Sequence, residues 1–137
     1  NQQIKEGKVK FNNELKMKVT YHDPCHIVRH LAHLGKKAPI TEEPREILKN
    51  IPGIEFVEMA RNKMNSHCCG AGGGLKSGNP ELSLEAAIDR VKEAEALGVD
   101  AIVSSCPFCY RGISDAITKM NSKVQMYDIT QLLDKVM

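Results

Sequence analysis

The sequence predicts an α/β fold in which helices flank a four-stranded parallel sheet of strand order 2-1-3-4. Short apolar or β-branched runs alternate with helical patterns along the chain, which is typical of βαβ units and a parallel sheet. Right-handed crossovers leave few sensible strand orders for four such runs. In the order 2-1-3-4, strands one and three are neighbours whose connections leave to opposite sides, and this creates a crevice at their carboxyl ends. We therefore expect a Rossmann-like three-layer arrangement.

Four runs are predicted to be the strands. They lie at 18–22 (KVTYH), 54–59 (IEFVEM), 101–105 (AIVSS) and 124–129 (VQMYDI). Apolar positions three and four residues apart predict the helices that separate and follow them. These patterns comprise Val28, Leu31 and Ala32; Ile47, Leu48 and Ile51, stopped by Pro52-Gly53; Leu84 to Gly98; Ile113 to Met120; and Leu132 to Val136. Residues 1–17 are polar and lysine-rich, and we expect an irregular or extended lead-in there.

Length and composition limit the classes of function. The 137 residues amount to one domain, and 42% hydrophobic with 26% charged residues is ordinary for a globular chain. A net charge of 19 − 17 = +2 is too weak to argue for a nucleic-acid or membrane surface. No run approaches the roughly 18 apolar residues of a membrane span, so we expect a cytoplasmic domain, whose parent complex can still be membrane-associated. Because the chain begins at Asn1, we expect one domain, 1–137, of a longer polypeptide.

The five cysteines all follow predicted strands. Cys25 lies just past strand one, Cys68 and Cys69 lie in the connection after strand two, and Cys106 and Cys109 lie just past strand three. We therefore expect all five around the crevice at the carboxyl ends of the strands. Five is an odd number, so pairing as disulfides would leave one thiol over. In a reducing compartment such clusters are more often metal sites or redox centres.

The residues around each cysteine suit metal or redox chemistry. A C-P-F-C motif (106–109) at a helix start puts two sulfurs on one side of the first turn, and Pro107 suits the first helical position. A helix N-terminus favours thiolate and lowers the pKa of a cysteine, an effect that we also expect at Cys25. The run GAGGG (70–74) after the adjacent pair lets the backbone approach a bulky inorganic cluster and donate N–H groups to its sulfides.

The residues alone leave several alternatives open. One or two of the cysteines can be ordinary core residues. A mononuclear zinc site uses four ligands, for example Cys106, Cys109 and two of Cys25, Cys68 and Cys69, and it leaves one thiol unexplained. A dithiol oxidoreductase explains only Cys106 and Cys109. An iron–sulfur centre uses all five cysteines and is the best single account.

Three histidines lie beside cysteines in the sequence. His22 and His26 flank Cys25, and His67 precedes Cys68. Each is a candidate ligand, proton donor or hydrogen-bond partner of a ligand. The remaining two histidines, His30 and His33, are expected on the exposed side of the helix after Cys25.

Charged residues near the cysteines have candidate roles as well. Arg29, Lys76 and Arg111 are placed to balance the negative charge of a thiolate-bound cluster or to attract an anionic substrate. Asp23, which precedes Pro24, is a candidate cap for the helix or turn that follows it.

The stretches YHDPCH, PREILKNIPGIEFVEM, HCCGAGGG and SSCPFC occur in this order. With them the chain resembles the cysteine-rich CCG domain family from about Val19 to the C-terminus. This family includes heterodisulfide reductase catalytic subunits and the iron–sulfur subunits of lactate, glycolate and anaerobic glycerol-3-phosphate oxidation systems. The motif sequences are most similar to those of the second, C-terminal CCG domain of the heterodisulfide reductase D-type subunit and related iron–sulfur oxidoreductases. The resemblance implies that ferredoxin-type clusters and a first CCG domain precede this domain in its parent chain.

The resemblance also implies a cofactor and an activity. It implies that the cysteines at 25, 68, 69, 106 and 109 hold a non-cubane [4Fe–4S] cluster. The implied activity is that of an iron–sulfur oxidoreductase, in which a disulfide substrate is split by successive one-electron steps. The implied partners are other iron–sulfur domains or subunits of the parent enzyme and a small-molecule substrate, so we expect the isolated domain to be inactive. Some CCG domains hold Zn²⁺ instead.

The sequence departs from the family pattern in two places. The spacing from Cys25 to Cys68 is longer than usual, and residues 36–43 are the expected place of the extra length. Ile27-Val28 stands where Leu-Gly is common after the first Cys-His. Neither departure removes a ligand, so they bear on the fine geometry and the substrate rather than on the metal site.

Overall fold

A parallel sheet of four strands forms the centre of the computed structural model, which describes residues 1–35 and 38–137. The strands are β1 (Met17–Tyr21), β2 (Ile54–Phe56), β3 (Ala101–Ser104) and β4 (Gln125–Asp128). Their order is β2-β1-β3-β4, and every neighbouring pair is parallel. The predicted fold class and strand order are both confirmed. The strands are one to three residues shorter than the apolar runs, except for β1, which begins one residue earlier and keeps the expected length.

The helices alternate with the strands as the periodicity predicts. In chain order they are α1 (Gln2–Lys5), a π-helix (His26–His30), α2 (Leu31–His33), α3 (Glu42–Asn50), a 3₁₀ turn (Lys63–Asn65), α4 (Leu75–Gly78), α5 (Pro80–Ala96), α6 (Pro107–Met120) and α7 (Ile129–Val136). The stop signal at Pro52-Gly53 is confirmed, because Gly53 adopts a φ of 84° just beyond α3. The pattern after Cys25 gives a π-helix continued by α2, which residue spacing alone does not distinguish from an ordinary helix.

Side chains alternate across the central strand and build a separate core on each face. Ile102 points to one face, where it packs with apolar residues of α5 and α6. Ala101 and Val103 point to the other face, where they pack with residues of α3 and α7. All four side chains of β3 are buried, as expected for a central strand of a parallel sheet that is covered on both sides. The three layers predicted from the sequence are therefore present.

The first 17 residues are more ordered than the predicted lead-in. Residues 2–5 form a helical turn and Met17 already belongs to β1, so the expectation of an irregular or extended segment is wrong there. Between them, Phe11 and Leu15 pack against the core beside α3 and α7. The Leu15 N–H also donates to the carbonyl of Pro52 at 2.8 Å. This segment thus covers part of the domain instead of leading away from it.

The expected insertion at 36–43 is only partly visible. Its first two residues, Lys36 and Lys37, lie outside the described residues. The rest runs directly into α3, which begins at Glu42. Within the described ranges, no helix is both long enough and apolar enough to cross a bilayer.

Replacing Ile102 by Ala tests the two-faced core. Ile102 is fully buried at the centre of the sheet, so the cavity left behind should cost about 2–5 kcal/mol of unfolding free energy. Urea denaturation of the metal-free chain, followed by circular dichroism, measures this loss. The control is Leu82→Ala, because Leu82 is 50% exposed on α5 and should change the unfolding free energy by less than about 1 kcal/mol. Equal losses in the two variants would contradict the core assignment.

Candidate metal centre

All five cysteines line one cavity at the carboxyl ends of β1 and β3. The cavity has a volume of about 90 Å³, and we call it the cysteine pocket. Its walls are Pro24, Cys25, His26, Cys68, Cys69, Gly72, Gly73, Cys106, Phe108 and Cys109. The predicted convergence of the five cysteines on one crevice is thus found in the structure.

Cys25 enters the pocket from the first turn after β1. It stands at the start of the π-helix and is half-buried. Each hydrogen bond of a π-helix spans one residue more than in an α-helix, and π-helical turns are frequent at functional sites. Here it places His26 beside Cys25 at the rim of the pocket.

The C-P-F-C segment forms the opposite wall. Cys106 is extended (φ −137°, ψ 122°), and Pro107 is the first residue of α6, as predicted. Cys109 follows in the first turn and is only 3% exposed, whereas Cys106 is half-buried. Phe108 between them is 63% exposed, so a large apolar side chain faces solvent at the mouth of the pocket.

Cys68 and Cys69 differ in exposure although they are adjacent in the loop. Cys68 is exposed, and its sulfur accepts a hydrogen bond from the Gly70 N–H at 3.3 Å. Cys69 is 4% exposed, and its sulfur lies 3.3 Å from the sulfur of Cys109. Gly70 makes the turn possible with a φ of 73°, and a side chain there would collide with the Ser83 carbonyl. The pocket therefore has a buried wall of two sulfurs and a more open rim.

Three of the five thiols, those of Cys25, Cys68 and Cys69, have a raised pKa. Hydrogen bonding to Cys109 raises the pKa of Cys69 to about 11, and hydrogen bonding to Cys69 raises the pKa of Cys68. Burial raises the pKa of Cys25, so the lowering expected there from the helix N-terminus is wrong. A bound cation would displace these protons, because metal ligation requires thiolate.

Of the three candidate cations, only Arg29 acts on the pocket. Its guanidinium donates to the carbonyls of Ser66 at 2.5 Å and Met64 at 3.3 Å, and its charge lowers the pKa values of Cys25 and Cys68 against the larger effects that raise them. Lys76 instead forms an ion pair with Asp115. Arg111 lines a neighbouring cleft together with Phe108.

The histidines beside the cysteines have different positions. A ring nitrogen of His22 lies within 4.8 Å of the sulfurs of Cys69 and Cys109, and the side chain is buried. Burial, together with the charge of Arg90, lowers the pKa of His22 to about 3. His26 lines the pocket. His67 is exposed, and both of its ring nitrogens lie 2.7 Å from Arg61 Nη1, so it turns away from the described walls of the pocket.

The two histidines expected to face solvent do so. His30 and His33 are both exposed on the helix that follows Cys25. The Nδ1 of His30 lies 3.1 Å from the Nδ1 of His26, which joins the rim of the pocket to the outer surface of the π-helix.

Asp23 connects two loops and does not cap a helix. Its carboxylate accepts two hydrogen bonds at 2.8 Å from Arg45, which lies on α3 and also pairs with Glu58. It accepts a third, at 2.7 Å, from the backbone N–H of Lys63. The capping role predicted for Asp23 is therefore wrong. Sequence reasoning missed Arg45, although an acidic residue at the end of a buried strand requires a cationic partner.

The donor set fits a polynuclear iron–sulfur centre. Five thiols surround one cavity, glycines 72 and 73 form part of its wall, and the Gly70 N–H already donates to the sulfur of Cys68. A single ion also has a compact set, because His22, Cys69 and Cys109 lie close enough together to share it. That set leaves the thiols of Cys25, Cys68 and Cys106 unused.

Comparisons with known proteins identify the family of the chain. The family profile for the CCG cysteine-rich domain matches residues 19–114. The chain is 42% identical over 130 residues to the D-type subunit of the dihydromethanophenazine:CoB–CoM heterodisulfide reductase of Methanosarcina acetivorans, covering 95% of this chain and 30% of that protein. It is 43% identical over 119 residues to one of the subunits of the fumarate reductase (CoM/CoB) of Methanothermobacter marburgensis, covering 86% and 22%. It is 35% identical over 132 residues to the probable iron-sulfur-binding oxidoreductase FadF of Bacillus subtilis, covering 95% and 18%. The chain thus spans less than a third of each of these relatives.

Replacing Gly112 by Ala tests how α6 supports the cysteine loop. A Cβ at Gly112 would lie 2.7 Å from the Cβ of Ala71 and 3.1 Å from the carbonyl oxygen of Cys69, so the loop must shift. Because Ala has a higher helix propensity than Gly, the substitution would by itself stabilise α6 by about 1 kcal/mol, and we expect the chain to stay folded. We expect the shift of the loop to lower its Zn²⁺ affinity by about tenfold or more. Competition with a chromogenic chelator measures the affinity. The control is Gly78→Ala, which meets nothing within 4 Å. Equal affinities in the two variants would contradict the prediction.

The pKa of Cys69 predicts how the stability of the metal-free chain depends on pH. The folded-state pKa of about 11 exceeds the unfolded value of roughly 8.5, so the folded state holds the proton more tightly. This stabilisation is fully present below about pH 8.5 and is lost as the pH rises toward 11, on the order of 3 kcal/mol in all. Urea unfolding under reducing conditions at pH 8 and pH 10.5 measures it. Cys69→Ser is the control, since Ser does not titrate; a loss as large in this variant would refute the assignment.

Proposed function

Because this chain belongs to the CCG family of cysteine-rich domains, we propose that it is an iron–sulfur redox domain of a heterodisulfide reductase-like oxidoreductase. The proposed cofactor is a non-cubane [4Fe–4S] cluster with Cys25, Cys68, Cys69, Cys106 and Cys109 as its ligands. The observation that carries the proposal is that these five side chains line a single pocket. Relatives that are named as heterodisulfide reductase, fumarate reductase and iron–sulfur oxidoreductase proteins support it.

A bound cluster would supply one-electron redox chemistry, and the residues of this chain would hold and shield it. Cys69 and Cys109 form the buried wall, while the exposed Cys68 and the half-buried Cys25 and Cys106 border the open side. Arg29 offsets part of the negative charge that five thiolates bring. A substrate would approach past Phe108, whose exposed ring stands at the mouth of the pocket.

The proposal extends to partners and location. Electrons would pass between this domain and other iron–sulfur domains or subunits of the parent enzyme, and a small molecule, a disulfide in the heterodisulfide reductase relatives, would react at the open side. The domain alone would then lack its electron supply and be inactive. A cytoplasmic location belongs to the same proposal.

Two rival functions make different use of the same residues. A zinc-binding structural or docking domain is favoured by the compact set of His22, Cys69 and Cys109. A dithiol oxidoreductase would use Cys106 and Cys109, but the sulfur of Cys109 contacts that of Cys69 on another loop. Neither rival needs all five cysteines at one cavity.

Anaerobic reconstitution with iron and sulfide tests the proposal. We expect about four iron atoms and four sulfides per chain, with an electron paramagnetic resonance signal in one redox state. Cys68→Ser and Cys69→Ser should each lose the cluster, while Ser77→Ala, at the exposed helix that follows the same loop, should keep it. Stoichiometric zinc without iron would support the structural rival. A full cluster in both cysteine variants would refute their assignment as ligands, and disulfide reduction by a chain lacking Cys25, Cys68 and Cys69 would favour the dithiol.

A further inference from the structure

Arg90 is a buried cation that the fold alone does not explain. It lies in the middle of α5 with no exposed surface. Its Nη1 donates to Glu93 at 2.7 Å and to the Arg61 carbonyl at 3.0 Å, while among the described residues its Nη2 has no hydrogen-bond partner. Removing a guanidinium from water is costly, so a charge that is only partly paired suggests a second negative partner.

The third contact of Arg90 is with His22. The Nε of Arg90 lies 3.2 Å from the Nδ1 of His22, and a guanidinium can only donate. His22 must therefore accept through Nδ1, so its neutral ring carries its proton on Nε2. The backbone of His22 is fixed as well, because its N–H donates to the Val103 carbonyl at 2.8 Å and its carbonyl accepts from the Ser104 hydroxyl at 3.0 Å.

The ring held in this way reaches the buried wall of the cysteine pocket. One of its nitrogens lies within 4.8 Å of the sulfurs of Cys69 and Cys109. A ring whose Nδ1 lone pair is occupied by Arg90 can offer a sulfur only its Nε2–H. The interaction available to it is therefore a hydrogen bond to a ligand sulfur, and not coordination of a metal.

We propose that Arg90 is a positioning residue that orients His22 to donate its Nε2–H to sulfur at the buried wall, and that the two residues raise the reduction potential of the bound cluster. The inference rests on the proposed iron–sulfur function. An added electron makes a thiolate-bound cluster more negative, and an N–H donor backed by a buried cation stabilises the reduced state more than the oxidised one. The negative partner that Arg90 lacks in the metal-free chain would be the cluster with its thiolates.

The midpoint potential of the reconstituted chain tests the proposal. Followed by electron paramagnetic resonance, His22→Leu and Arg90→Met should each shift the potential to more negative values with the iron content unchanged. His22→Gln should instead keep a midpoint potential close to that of the parent chain, because its side-chain amide can place an N–H near the position of Nε2. Arg61→Gln is the matched control, since it removes one positive charge from the same network at a partly exposed residue that does not contact His22.

Three results would overturn the proposal. A fully loaded His22→Leu chain with an unchanged potential would remove the role of His22. An equal shift in Arg61→Gln would show that total charge, and not the positioned donor, sets the potential. Loss of iron in His22→Leu, with the fold intact by circular dichroism, would instead identify His22 as a ligand.

A measurement on the metal-free chain separates this inference from the proposed function. Nitrogen-15 shifts of the His22 ring should report the proton on Nε2 in the parent chain and a mixture of both tautomers in Arg90→Met. A parent ring protonated on Nδ1, or a tautomer that is unchanged in Arg90→Met, would overturn the role of Arg90. A parent chain that takes up no iron would refute the iron–sulfur function, while the tautomer would still decide whether Arg90 positions His22.

Discussion

The pocket depends first on one buried ion pair, that between Asp23 and Arg45. Both partners are almost fully buried, and the carboxylate also binds the Lys63 N–H, at a residue held with a φ of 52°. Removing one member of such a pair typically costs about 3–5 kcal/mol, because the other charge is left without compensation. Asp23 lies two residues before Cys25, and the Lys63 turn lies five residues before Cys68. The same carboxylate therefore ties the segment before Cys25 to the turn before Cys68, although 42 residues separate the two cysteines in the sequence.

The rest of the site follows from close packing beneath the loops. The sheet order brings the ends of β1 and β3 side by side, which delivers Cys25 and the C-P-F-C turn to the same edge. Two glycines then let the loop that carries Cys68 and Cys69 pack closely between them. Gly70 of this loop lies against Ser83 of α5, and Gly112 of α6 leaves room for Ala71 of the loop. Strand order sets where the thiols lie, and the missing side chains set how deep they lie.

Sequence patterns predicted the layers, the strand order and the convergence of the five cysteines, because each depends on periodicity and on the direction of parallel strands. They failed where an outcome depends on contacts between distant segments. For Cys25 the position at a helix N-terminus predicts a lowered pKa, but burial raises the pKa instead. Asp23 has the sequence position of a helix cap, but its carboxylate binds Arg45 of α3. His67 is next to Cys68 in the sequence, but its ring lies against Arg61. The positions of His22 and Arg90, 68 residues apart, follow from no local pattern.

Because the five sulfurs differ in exposure, oxidants from solvent would reach them in a definite order. Cys68 is open to solvent, Cys25 and Cys106 are half-covered, and Cys69 and Cys109 lie beneath them. Dioxygen or peroxide diffusing in from outside meets the outermost sulfur first, and oxidation of cysteine depends strongly on access. Oxidation by air would therefore proceed from the rim inward, and the inner pair would be the last to be oxidised.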